Sequence, residues 1–127
     1  MGHQDLALAA LHHDSHEAYA CDIPKPLKRL LEPEYTAITD RLDRAIAVAL
    51  NLPILDLEDQ RARPIKDADD AMLVLEAEEY LAGAPPDRDL PTGLLDLARA
   101  TVEVKASMAS DEARDSFLAF HERLTQP

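Results

Sequence analysis

Three histidines and two acidic residues fall within six positions, His12-His13-Asp14-Ser15-His16-Glu17, in a chain that holds five histidines in all. Imidazole and carboxylate together form the ligand mix that divalent ions such as Mn, Co, Fe, Ni, Zn and Mg accept. On a helix, His13 and Glu17 stand four residues apart on one face, with His16 close beside them. Asp14 is about 100° round the axis from His13, so a cation seated between them is within reach of both. Downstream, Asp22-Ile23-Pro24-Lys25-Pro26-Leu27-Lys28 sets an acidic residue before a rigid proline corner. Further on, Lys66-Asp67-Ala68-Asp69-Asp70 places three carboxylates in a helical stretch. Taken alone, the histidine cluster reads equally well as a solvated helix face, and Asp22 as a residue that caps the turn before Pro24.

The elements that must position these residues are helices. Trp is absent, aromatic residues make up 4% and Gly numbers 3, so the core must come from Leu, Ala, Ile and Val. Ala and Leu favour helix, and β-branched runs are missing. The expected fold is all-α, a helical bundle of five or six helices in a single domain over residues 1–127. The first helix is expected over residues 5–19, followed by a proline break at 22–26 and a short turn at 28–31. The next begins at Pro33, with Tyr35, Ile38, Leu42, Ala45, Ile46 and Ala49 on one stripe, and ends at Asn51. After a linker over 54–64, residues 65–81 read as helix, with Ala68, Met72 and Leu75 on one face and Glu76, Glu78 and Glu79 toward solvent. An acidic, proline-rich loop over 83–91 leads to helices over 92–108 and 111–124. Ser110 is the expected N-cap of the last, and Ala113, Phe117, Phe120 and Leu124 its core stripe.

A net charge of −12 and a pI near 4.6 make a nucleic-acid partner, itself a polyanion, a poor expectation. The acidity suits divalent metals or solubility. Cys21 is the one cysteine, which rules out an intrachain disulfide framework. With neither a basic, apolar leader nor a membrane-length apolar run, a soluble cytoplasmic protein with no membrane partner is the expectation.

Together, His13-Asp14-Ser15-His16-Glu17-Ala18-Tyr19 and Asp22-Ile23-Pro24-Lys25-Pro26-Leu27-Lys28 resemble the HD-domain metal-dependent phosphohydrolases, in the branch close to bacterial 5′-deoxynucleotidases. That branch typically reads His-Asp-x-x-Glu, then Asp-(Ile/Leu)-Pro-x-Pro-(Leu/Val)-Lys. Lys66-x-Ala68-Asp69 matches the family's helix with the last aspartate ligand, and the likeness covers residues 7–81 best. The resemblance implies that His13, Asp14 and Asp69 bind a divalent metal ion. It makes Glu17 the carboxylate that positions or deprotonates the attacking water and Asp22 the group that assists at the leaving group. The implied substrate is a small-molecule nucleotide, a nucleoside 5′-monophosphate or related phosphoester.

One part of the pattern is missing. The family carries a further histidine roughly two dozen residues upstream of its His-Asp pair, whereas twelve residues precede His13 here. His3 is the one candidate, and ten helical residues separate it from His13 by ~15 Å. The chain is therefore expected to begin mid-domain, lacking the family's first helix or helices, with activity possible but impaired.

Two other expectations compete. A non-catalytic helical remnant would bind a protein partner or self-associate as a homo-oligomer, because loss of a helix exposes core. A histidine-rich module could also bind metal without hydrolysis. His12 and His16 read as structural or surface residues, Lys25 and Lys28 as a solvated face, and Cys21 as passive.

Overall fold

The computed structural model describes residues 3–52, 62–81, 87–104 and 107–126. Among them are seven helices and no strand, so the all-α expectation holds. The chain divides into two compact units, the first comprising Met1–Leu55 with His121–Pro127 and the second Asp56–Phe120. Residues 54–61 of the expected linker and 83–86 of the expected loop lie outside the described residues, and helix begins at Arg63, inside the stretch expected as linker.

In the first unit the expected single helix over 5–19 is two. Helix α1 spans His3–Leu11 and α2 spans Glu17–Ala20, with a turn over residues 12–16. Asp, Ser and His are poor helix formers that compete for backbone groups, and here they switch the bonding to the tighter i→i+3 pattern. Ser15 N–H donates to the His12 carbonyl at 3.0 Å and Glu17 N–H to that of Asp14 at 2.9 Å. Helix α3, Lys25–Leu30, starts at the proline corner, where Pro26 suits a helix's first turn.

Helix α4 spans Glu34–Leu50 and stops where expected. Asn51 takes a left-handed conformation, φ 52° and ψ 43°, and Leu52 N–H returns to the Ala47 carbonyl at 2.8 Å in a Schellman closure. Its inward face keeps half of the expected stripe. Thr39 and Ala47 are buried and Tyr35, Leu42, Asp43 and Ile46 half-buried, while Ile38, Ala45 and Ala49 are exposed. Two polar residues earn the inner face through local partners: Thr39 Oγ1–H donates to the Thr36 carbonyl at 3.1 Å, and Asp43 meets His16.

The second unit is centred on α5, Arg63–Tyr80, which buries Ile65, Ala71, Val74, Leu75 and Ala77. Ala68, expected inside, is exposed, whereas Glu76, Glu78 and Glu79 are exposed as expected. Helix α6 covers only Leu94–Thr101, and the chain at Val102 is extended, so the expected helix to residue 108 ends early. The β-branched Thr101, Val102 and Val104 weaken its continuation. Arg99 Nε donates to Glu78 Oε2 at 3.3 Å, tying α6 to α5.

Helix α7 spans Ser110–Thr125. Ala113 N–H donates to the Ala109 carbonyl, so Ser110 lies inside the first turn and does not cap it. Phe117 and Phe120 keep 37% and 49% of their surface exposed, which corrects the expectation of a core stripe. Helical spacing puts apolar residues on one side, but burial requires another element to meet that side. No helix among the described residues is long and apolar enough to cross a membrane.

Candidate metal centre

The turn over residues 12–16 determines how the histidine cluster is presented. His13 is half-buried, and its Nδ1 lies 2.8 Å from the Ala10 carbonyl. A carbonyl only accepts, so Nδ1 carries a proton, and in the neutral ring Nε2 is then the nitrogen that can bind a cation. That atom lies 2.9 Å from Asp14 Oδ2. An imidazole nitrogen and a carboxylate oxygen thus face one another, with the imidazole oriented by a backbone carbonyl through its other nitrogen. This is the arrangement that fixes the tautomer of a metal-ligating histidine, and the donor set fits a divalent cation.

Glu17 and His16 extend the same cluster. Asp14, His16 and Glu17 each offer one ligand-type atom, and these lie within 4.8 Å of one another. His16 is largely buried, and its Nδ1 meets Asp43 Oδ1 of α4 at 2.9 Å. It is held in place by a carboxylate, which fits the structural rather than the surface half of its sequence reading. Asp43 carried no signal in the sequence, because it is 27 positions from His16 and only packing of α4 makes them neighbours.

The two expected catalytic carboxylates are joined by a lysine. Lys28 Nζ lies 3.2 Å from Asp22 Oδ1 and 3.8 Å from Glu17 Oε1, and sits 5.8 Å from the centroid of the Tyr35 ring. Tyr35 O–H in turn donates to the Cys21 carbonyl at 3.3 Å, holding the residue before Asp22. The Lys28 ammonium, which the sequence assigned to a solvated face, bridges two acids. Burial opposes its charge, but the hydrogen bond to Asp22 and the nearby charges raise its pKa on balance.

Burial, followed by the negative charges of Asp14 and Asp22, pushes the Glu17 carboxyl above its ordinary value; Lys28 and His16 pull the other way. A carboxylate shifted in this direction is a better proton acceptor than a free one. His12 is shifted down, first by burial and then by the neighbouring His121.

Asp69 belongs to the second unit, exposed on α5, with Lys66 Nζ at 3.3 Å from its Oδ2. The neighbouring acids have other partners. Asp67 is buried against Arg63 at 2.7 Å, and Asp70 meets Lys66 at 3.2 Å and Arg88 at 3.5 Å. Of the three carboxylates in the segment, Asp69 is the most exposed by side chain, at 45% against 12% and 18%.

The chain is 41% identical over 76 residues to the uncharacterized protein YfdR of Escherichia coli (strain K12). The match covers 60% of this chain and 39% of that protein, so the chain spans well under half of the relative's length. No family model matches the chain, and no solved structure matches it.

Proposed function

We propose that the chain is a metal-dependent phosphohydrolase of the HD type, acting on nucleoside 5′-monophosphates or related phosphoesters. The observation that carries this reading is His13, whose proton is held by the Ala10 carbonyl so that Nε2 stands beside Asp14 Oδ2. Those two atoms would hold the cation in the first unit. Asp69, the third ligand of the resemblance, enters the reading on sequence alone.

When bound, a divalent cation supplies Lewis acidity toward a phosphoryl oxygen and lowers the pKa of water. The chain's own groups do the rest. Glu17 is placed next to Asp14 and has a carboxylate made more basic by burial, so it accepts the proton of the attacking water. Asp22 assists at the leaving oxygen. Lys28 holds Glu17 and Asp22 on either side of one ammonium, and keeps their mutual repulsion from driving them apart.

The test is release of inorganic phosphate from deoxynucleoside 5′-monophosphates with Mn or Co added. His13→Ala and Asp69→Asn should each lower it by at least about tenfold, the scale on which a disturbed ligand set acts. Absence of phosphate release, together with absence of stoichiometric metal in the purified protein, would reject the reading.

A second reading is favoured by a different observation. Large apolar side chains of the first unit are exposed, with Leu30 at 81%, Val48 at 75% and Tyr19 at 73%. Such surface suits a non-catalytic helical protein that self-associates or binds a protein partner. Sedimentation in which the mass rises with concentration, from protein that carries no stoichiometric metal, supports this reading; a metal-loaded monomer at every concentration excludes it.

A further inference from the structure

His12 precedes the proposed ligand pair, and its imidazole takes no part in the chemistry above. It is nonetheless buried, with 8% of its surface exposed. A buried imidazole is costly unless both nitrogens find partners, and an aliphatic side chain would fill the same space without that requirement. Both nitrogens are engaged. Nδ1 lies 3.0 Å from Ser15 Oγ, and Nε2 lies 3.0 Å from Nδ1 of His121, near the end of α7. The two rings meet edge to face, with centroids 5.1 Å apart and planes at 82°.

Residues 12 and 15 bracket the His13-Asp14 dipeptide, and two bonds tie them: Ser15 N–H to the His12 carbonyl, and Ser15 Oγ to His12 Nδ1. The dipeptide therefore sits in a closed loop whose base is a buried ring. His121, outside the loop, holds that ring through Nε2. A second tie runs alongside it, since Gln4 Nε2 donates to the carbonyls of Leu124 at 2.8 Å and Gln126 at 3.2 Å. The end of α7 and the start of the chain are thus joined at two places within the first unit.

We propose that His121 is a positioning residue for the His13–Asp14 pair, acting through the loop that His12 and Ser15 close. The role in metal binding rests on the metal-centre reading above, whereas the mechanical role stands without it. His121 holds the His12 ring, the ring holds Ser15, and together they hold the two ligand atoms 2.9 Å apart. Removing His121 takes away the hydrogen bond at the buried Nε2, and the loop loses that outer support.

The experiment uses the full chain in three variants. His121→Phe keeps ring volume but removes the nitrogen, His121→Asn keeps a polar atom near the Nδ1 position, and Ser15→Ala opens the loop from its other side. In metal-free protein, His121→Phe and Ser15→Ala should speed hydrogen exchange at the Ser15 and Glu17 amides by about tenfold or more, with amides of α4 and α5 unchanged. His121→Asn should stay close to wild type. In the same samples the Mn(II) dissociation constant should weaken by about tenfold for the Phe and Ala variants and be largely restored for Asn. Unchanged exchange at Ser15 and Glu17 overturns the proposal, and so does acceleration spread evenly over α4 and α5, which marks a loss of general stability. Should His121→Phe not fold, His121→Leu, which also lacks the nitrogen, is read in its place. Wild-type protein that takes up no Mn(II) defeats the metal-centre reading, while the exchange result still decides whether His121 supports the loop.

Discussion

At the scale of single residues, Lys28 decides how the two expected catalytic carboxylates behave. It shares one ammonium between Glu17 and Asp22, and it opposes the burial and neighbouring charge that raise the Glu17 carboxyl. A base works only when deprotonated, so the rate of phosphate release should rise with pH through a Glu17 pKa above the ordinary glutamate value. Lys28→Met removes a cation that favours the ionised form. Its acidic limb should therefore move to still higher pH, while Lys28→Arg should keep it near wild type. A limb in the methionine variant that stays put, or moves down, shows that Lys28 does not set the charge state of Glu17. The His-Asp-x-x-Glu and Asp-Ile-Pro spacings, visible in one dimension, marked every one of these residues except the role of Lys28.

At the scale of elements, two helix ends carry predictions. Asn51 closes α4 with a positive φ, which side chains larger than Gly adopt at a cost that Asn and Asp partly escape. Asn51→Ala should destabilise the protein by about 1 kcal/mol, and Asn51→Gly should be neutral or stabilising, measured by urea denaturation. An alanine variant as stable as wild type would mean that the helix ends another way. The tie between α6 and α5 rests on Arg99 and Glu78, whose hydrogen bond holds the glutamate below its ordinary value. The folded pKa is therefore the lower one. The contribution is present above the unfolded value near 4.5 and is lost as pH falls through the folded value. Both groups are solvated, so the effect is small and should shrink with salt. Arg99→Ala should flatten stability against pH in that acidic window, and a variant with the wild-type pH slope would exclude the pair as its source.

At the scale of the whole molecule, 25 acidic residues face 13 basic ones. Excess like charge destabilises a folded state by self-repulsion, and salt screens it. Thermal melts should therefore shift upward between low and moderate NaCl, even as individual surface pairs weaken. A midpoint that falls steadily with salt would show that the pairs outweigh the repulsion. The exposed Leu30, Val48 and Tyr19 bear on the same measurements, because self-association would make the midpoint depend on protein concentration.

What the sequence determined by itself was local: an all-α chain, the helix stop at Asn51, the proline corner after Asp22, and the short run that brings Asp14, His16 and Glu17 together. Each follows from backbone propensity or from a short run of residues, so no distant contact is needed to read it. Other features came only with tertiary structure. The inner face of α4 lost Ile38 and Ala49 and gained Thr39 and Asp43, the helix over 5–19 broke at His12, and Phe117 and Phe120 stayed partly exposed. His16 found Asp43 and His12 found His121, 27 and 109 positions away. Which face of a helix is buried, and which buried polar group is satisfied, depends on the element that packs against it, and hydrophobic periodicity carries no information about that partner.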